Sequence, residues 1–196
     1  MSHTTKRETM IVFQNQWETF ESFDFSNLIT EADQNSAMAD IKAIIESGQY
    51  FTNSPRYQTN VNVFGQPGEH WMKFKMSFIF SCFMYLKEEV KIGQIQSWSF
   101  MTSNKTVEDR DKLWHTHQYG SERTLSGIYY LHIPDDVTDI DTCGTEFAIN
   151  GLENPERYTV KPEQYKWLIY PGKTWHRPCP PQSSQDRFVV AADMVF

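Results

Sequence analysis

The sequence predicts a mainly β protein with helices at its N-terminal end, the strands forming a β-sandwich or jelly roll. Three observations predict this. From Gln94 onward, short segments rich in β-branched and aromatic residues are separated by turn residues, with no helical pattern between them. Before Gln94 the dominant apolar periodicity is helical. The last segment, Arg187–Val195 (RFVVAADMV), is apolar on both faces through most of its length, which suits a strand covered by the β core on one side and by helices on the other. At 196 residues the length fits a single domain, with residues 1–93 as a helical elaboration and residues 94–196 as the β core.

Taken in order, residues 9–14 (TMIVFQ) form a short strand candidate. Residues 30–47 predict a helix: Thr30 caps it, Asp33 sits in the first turn, Ala37, Met38, Ile41, Ile44 and Ile45 form an apolar stripe, and Gly48 stops it. Residues 65–68 (GQPG) are a turn. Residues 70–90 carry two patterns. Trp71, Phe74, Phe78, Cys82 and Tyr85 fit a helix, whereas Phe74, Met76, Phe78, Phe80 and Cys82 alternate like a strand; length decides for a helix, expected to be buried on more than one side. The expected strands beyond it are 95–101, 113–117, 125–133, 145–149, 158–160, 166–170 and 187–195.

Composition restricts the function classes. The 39% hydrophobic and 22% charged fractions exclude wholesale disorder. With 18 basic against 25 acidic residues, the balance argues against a general nucleic-acid binder. The polar first ten residues show no signal-peptide core, and the longest apolar run, 78–86, is about half of what a membrane helix needs, so no membrane association is expected. Cys82, Cys143 and Cys179 make an odd count without CxxC spacing, which predicts buried free thiols and a cytoplasmic setting. Charge is also uneven locally. Residues 135–153 hold six acids and no base, whereas residues 154–187 hold six bases and three acids. The basic stretch includes His176 and Arg187, where an anion would be drawn in.

The chemistry-bearing motif is Leu113-Trp114-His115-Thr116-His117. On extended backbone, residues i and i+2 project from one face, so both imidazoles reach the same point. A third histidine, His176, follows in YPGKTWHRP. Three imidazoles with open positions opposite them suit a catalytic non-haem metal site. Trp114 and Trp175 face away by alternation, and His132 reads as structural.

The C-terminal half resembles the 2-oxoglutarate- and Fe(II)-dependent oxygenases, in particular their prolyl-hydroxylase-like branch. The matching runs are HTHQYGSERTLSGIYYLHIP, GTEF, VKPEQYKWLIYPGKTWHRP and DRFVVAADMVF. The resemblance implies a double-stranded β-helix (a jelly roll, or cupin-like barrel) with helices packed on one sheet. It implies iron held by His115 and the distal His176, with 2-oxoglutarate bound by Arg187, 11 residues beyond His176, and by Tyr130. His117 stands where the family pattern has Asp or Glu. Either three histidines bind the metal, or a carboxylate such as Glu122 completes the shell. Three neutral imidazoles leave Fe(II) at +2, whereas a carboxylate ligand reduces it to about +1. The implied activity is hydroxylation, with O2 as oxidant and ascorbate as possible reductant, of a small-molecule or peptide substrate such as a peptidyl or free proline-like amino acid. Two alternatives stand beside it. One is a cupin-type metalloprotein that does not use 2-oxoglutarate, in which Glu122 is a fourth ligand. The other is a non-catalytic jelly-roll binding module.

Overall fold

A computed structural model describes residues 7–11, 20–52, 57–88, 90–104, 113–117, 123–137, 139, 143–153, 155–179 and 181–196. Its elements are β1 (Arg7–Ile11), β2 (Phe20–Asp24), α1 (Glu31–Glu46), β3 (Tyr57–Gln58), a 3-10 turn (Val63–Gly65), α2 (Glu69–Leu86), β4 (Gln94–Thr102), β5 (Thr124–His132), β6 (Thr145–Ile149), β7 (Glu156–Val160), β8 (Lys166–Pro171), β9 (Trp175–Pro178) and β10 (Arg187–Val195). Seven strands form one sheet in the order β1-β2-β8-β5-β10-β4-β3, and three form a second, β7-β6-β9. All strand pairings within them are antiparallel.

Alternation divides the large sheet into two faces. Leu125, Tyr129, Leu131, Trp167, Ile169, Val190, Ala192 and Met194 pack with both helices. Ile128, Tyr130, Leu168, Tyr170 and Val189 face Phe147, Ile149 and Val160 of the small sheet. β10 is therefore covered on both sides, as its apolar composition predicts, and it pairs along its length with β5 and β4.

Helix α1 starts in a capping box. Asp33 N–H donates to Thr30 Oγ1 (3.2 Å), and Thr30 N–H donates to Asp33 Oδ2 (2.8 Å). Lys73 of α2 reaches the same carboxylate at 2.9 Å, which ties the two helices together. His70 and Trp71 add a second tie through Asp40 Oδ2, at 2.9 and 2.8 Å. On α2, Trp71, Phe74, Phe78, Cys82 and Tyr85 are buried at helical spacing. The expectation that this helix is buried on several sides is corrected: Met72, Met76 and Phe80 are 59%, 56% and 50% exposed. The helix lies on the outside of the sheet, and among the described residues its buried side chains, from Trp71 to Tyr85, lie on one face. Gly127 permits the close approach, since a Cβ there would lie 2.7 Å from the Phe78 ring.

Other expectations are adjusted. Strand β1 overlaps the predicted 9–14, whose last three residues lie outside the described set. β2 and β3 are additional strands in the N-terminal part, both joining the large sheet; β9, around His176, is likewise an addition. Residues 113–117 are not a regular strand: they make a single bridge, His115 with His176. The three cysteines are free and buried, as expected. Among the described residues no helix is long and apolar enough to cross a membrane.

Two outcomes follow for stability. Gly127→Ala should cost about 1–3 kcal/mol in urea unfolding, because the added methyl drives α2 off the sheet. Burial pushes the Asp33 carboxyl up, but hydrogen bonds from Thr30 and the Lys73 ammonium outweigh it and hold it below the usual value. Its contribution is then fully present above about pH 4 and is lost as pH falls through the lowered folded-state value. The stability gap between wild type and Asp33→Asn, measured by urea unfolding, should shrink between pH 5 and pH 2.

Candidate metal centre

The three histidines converge because of two backbone relations. His115 and His176 exchange reciprocal N–H···O=C bonds, each 3.1 Å, so they form a cross-strand pair with side chains on one side. His117 is two residues further along the same extended segment and is held by its N–H on Gly172 O at 2.7 Å. The ring centroids of His115 and His176 are 4.2 Å apart, and His117 lies 5.0 and 4.9 Å from them. One ring nitrogen from each lies within 4.8 Å of the others.

The second ring nitrogens fix the tautomers. His115 Nδ1 faces the Leu113 carbonyl at 2.7 Å, and His176 Nδ1 faces the Thr174 carbonyl at 3.0 Å. A carbonyl only accepts, so both rings donate from Nδ1–H and keep the Nε2 lone pair for a ligand. His117 Nδ1 faces Asp193 Oδ1 at 2.8 Å, which gives it the same orientation. Tyr170 Oη donates to His176 Nε2 at 3.1 Å, so a cation on that nitrogen would have the phenol beside it. Burial holds the Tyr170 hydroxyl well above its ordinary value, so at neutral pH it is a neutral donor.

His115, His117 and His176 line one cavity with Tyr130, Arg187, Thr102, Thr145 and Tyr170, whose apolar walls include Phe100, Ile128, Val189 and Ala191. Its empty space, counted out through the open mouth, is about 500 Å³. Arg187 is 2% exposed. Its Nη1 donates to the carbonyls of Cys143 and Cys179, and its carbon sits 5.9 Å from the Tyr130 ring centre. No carboxylate among the described residues pairs with it, and its Nε has no hydrogen-bond partner. The Oγ1 of Thr102, Arg187's cross-strand neighbour, is also buried without a partner. An uncompensated buried guanidinium costs several kcal/mol, and an anion in this cavity would relieve it. Burial pushes the Tyr130 hydroxyl up to about 12, opposed by Arg187, and it is hydrogen-bonded with Thr145 Oγ1 at 2.8 Å.

All five residues singled out in the sequence thus meet in one cavity. Asp193, Tyr170, Thr102 and Thr145 were not singled out. Asp193 had a signal: it is the one acid within an otherwise apolar run, six residues from Arg187 and so of the same parity. His132 does not join the cavity. A bulge in β5 sets it opposite Phe188, in a groove with Met38 and Lys42 on the helix side. Trp114 faces away as expected, but instead of filling the core it is half-buried under Arg177, 4.5 Å from its ring centre. Glu122 lies outside the described residues.

Gly172 allows the His117 segment to sit this close: a Cβ there would lie 2.7 Å from His117 O and 2.9 Å from Thr124 Cγ2. Gly172→Ala should push the two segments apart. Divalent-metal affinity, measured by Co(II) titration, should fall about tenfold or more, as for the loss of a group that orients a ligand.

No family model matches the sequence, and no curated protein matches it. Solved structures do match in fold. A prolyl-4-hydroxylase from Pseudomonas putida superposes with a TM-score of 0.60 at 9% identity, covering 91% of this chain and 92% of that one. The non-haem α-ketoglutarate-dependent epimerase SnoN of nogalamycin biosynthesis gives 0.66 at 8% identity, over 92% and 77%. A Trichoplax adhaerens prolyl hydroxylase, solved with a hypoxia-inducible-factor peptide, gives 0.59 at 12% identity, over 90% and 83%. The chain therefore has the fold of the prolyl hydroxylases and the α-ketoglutarate-dependent non-haem iron enzymes, the group its motifs resemble.

Proposed function

We propose that this protein is a 2-oxoglutarate-dependent non-haem iron oxygenase, with Fe(II) on His115, His117 and His176 and 2-oxoglutarate gripped by Arg187 and Tyr130. The observation that carries the reading is the pairing of two features in one cavity: three imidazoles whose ligand nitrogens lie within 4.8 Å of one another, and a buried guanidinium with no carboxylate partner among the described residues. The residues present fit both groups. Imidazole nitrogens suit a divalent iron. A guanidinium suits a carboxylate, with the Thr102 and Tyr130 hydroxyls as neutral donors beside it. On this reading the two sheets are the double-stranded β-helix of a single domain.

When bound, iron and cosubstrate supply the oxidation, in which 2-oxoglutarate and O2 give succinate and CO2 and one oxygen atom enters a substrate C–H bond. The chain's own part is positional. The backbone carbonyls of Cys143 and Cys179 aim Arg187 into the cavity. Phe100, Ile128, Val189 and Ala191 keep the space between Arg187 and the histidines apolar, which strengthens charge interactions across it. From the family resemblance alone, we take the substrate to be a proline-like residue, peptidyl or free.

The test is succinate release with Fe(II), ascorbate and 2-oxoglutarate, together with calorimetric binding of 2-oxoglutarate to metal-loaded protein and mass-spectrometric search for a 16 Da gain on proline-containing peptides. Wild type should bind 2-oxoglutarate and release succinate. Arg187→Met should weaken 2-oxoglutarate binding by about tenfold to a hundredfold, the equivalent of a lost charge-assisted contact, while leaving metal affinity intact. Glu122→Ala should retain metal. Stoichiometric metal with no response to 2-oxoglutarate overturns the reading, and loss of metal in Glu122→Ala supports the cupin type instead.

A further inference from the structure

In the pattern this chain resembles, a carboxylate sits two residues after the first histidine and binds the metal directly. Here that position is His117, and the missing negative charge has a counterpart one residue deeper. Asp193 of β10 is 1% exposed. Its Oδ1 accepts from His117 Nδ1 at 2.8 Å and from Ser126 Oγ at 2.6 Å. Ser126 is its cross-strand neighbour on β5, and its hydroxyl also lies 3.3 Å from His117 Nδ1. The other two histidines turn Nδ1 toward neutral backbone carbonyls; His117 alone turns it toward a charged acceptor.

From this we infer that Asp193 is a positioning residue for the metal: it holds His117 with Nε2 toward His115 and His176, and it supplies from behind the imidazole the negative charge that the aspartate or glutamate supplies directly in the resembling pattern. The inference rests on the metal reading above. Burying a carboxylate costs several kcal/mol unless donors or a cation compensate it, so a chain does not keep one at 1% exposure on an apolar strand without something to satisfy it. Two donors converge on one oxygen here. A carboxylate behind a ligating imidazole fixes its ring and makes its free nitrogen a stronger donor to a cation. Ser126 completes the device by fixing the carboxylate oxygen itself.

The variants separate the two roles. Asp193→Asn keeps an acceptor oxygen of the same reach and removes the charge; Asp193→Ala removes both. Co(II) is titrated into each metal-free protein and followed by its visible absorption, with thermal unfolding as the check that each variant folds. Asp193→Asn should bind Co(II) about tenfold more weakly than wild type, and Asp193→Ala up to about a hundredfold more weakly, both with a shifted spectrum. A second measurement needs no variant: in metal-free wild type labelled with 15N at histidine, His117 should carry its proton on Nδ1. Equal Co(II) affinity and an unchanged spectrum in Asp193→Ala, or a proton on Nε2 of His117, overturns this inference and leaves the metal reading standing. Wild type that binds neither Co(II) nor Fe(II) overturns the metal reading itself.

Discussion

Strict alternation along Arg187–Val195 is the constraint on which the rest of the structure depends, because this strand lies between β5 and β4 and is covered on both faces. Phe188, Val190, Ala192 and Met194 enter the core shared with the helices. Arg187, Val189 and Ala191 line the cavity, and Asp193 stands at its histidine end. A one-residue slip of β10 would exchange these sets, putting a guanidinium and a carboxylate into the helix-packed core and four apolar side chains into the cavity. The register that buries the helices' partners therefore also places the cavity's charges. Folding and the site share one determinant.

The histidine cluster depends on a much smaller feature. Residues 113–117 form no ladder, yet two reciprocal backbone bonds between His115 and His176 and one from His117 to Gly172 fix their place. The segment is therefore held by β9 and the turn before it on one side and, through His117, by Asp193 and Ser126 of the large sheet on the other. Each ring is in turn held at Nδ1 by an acceptor at 2.7–3.0 Å, local for His115 and His176 and from β10 for His117.

Much of this was legible in the sequence, and the exceptions have physical causes. Helix α1 was readable because its cap, first-turn acid, apolar stripe and stop all agree. The two long central strands, β5 and β10, were readable because burial on both faces leaves an apolar run too short for a membrane helix. β2 was not, since FESFD has little alternation and gains its strand state from pairing with β8. The outward face of α2 departs from expectation because Met72, Met76 and Phe80 are apolar yet half or more exposed, and hydropathy alone does not report which apolar residues are covered. Of the residues that line the cavity, the HxH pair and His176 were legible through spacing, and Tyr130 and Arg187 through the family resemblance. Thr102 was not, and Asp193 only as a lone acid in an apolar run: their neighbours in space come from other strands, and the register supplies those.

That register also suggests why a third imidazole is tolerated where the resembling pattern has a carboxylate. A buried cavity of low polarisability penalises net charge. On the proposed reading four charged groups lie in it or directly behind its wall: a divalent ion, a dianionic cosubstrate, the Arg187 guanidinium and the Asp193 carboxylate. Together they are neutral. Without Asp193 one positive charge would be left over, and three imidazoles would offer nothing to offset it. Arg187 lines the cavity, and Asp193, six residues further along the same strand and about 20 Å away along an extended backbone, lies behind His117. Replacing a carboxylate on the metal with one behind an imidazole keeps that balance while moving the negative charge away from the open side of the ion. The exchange is possible only because β10 already runs under both ends of the site.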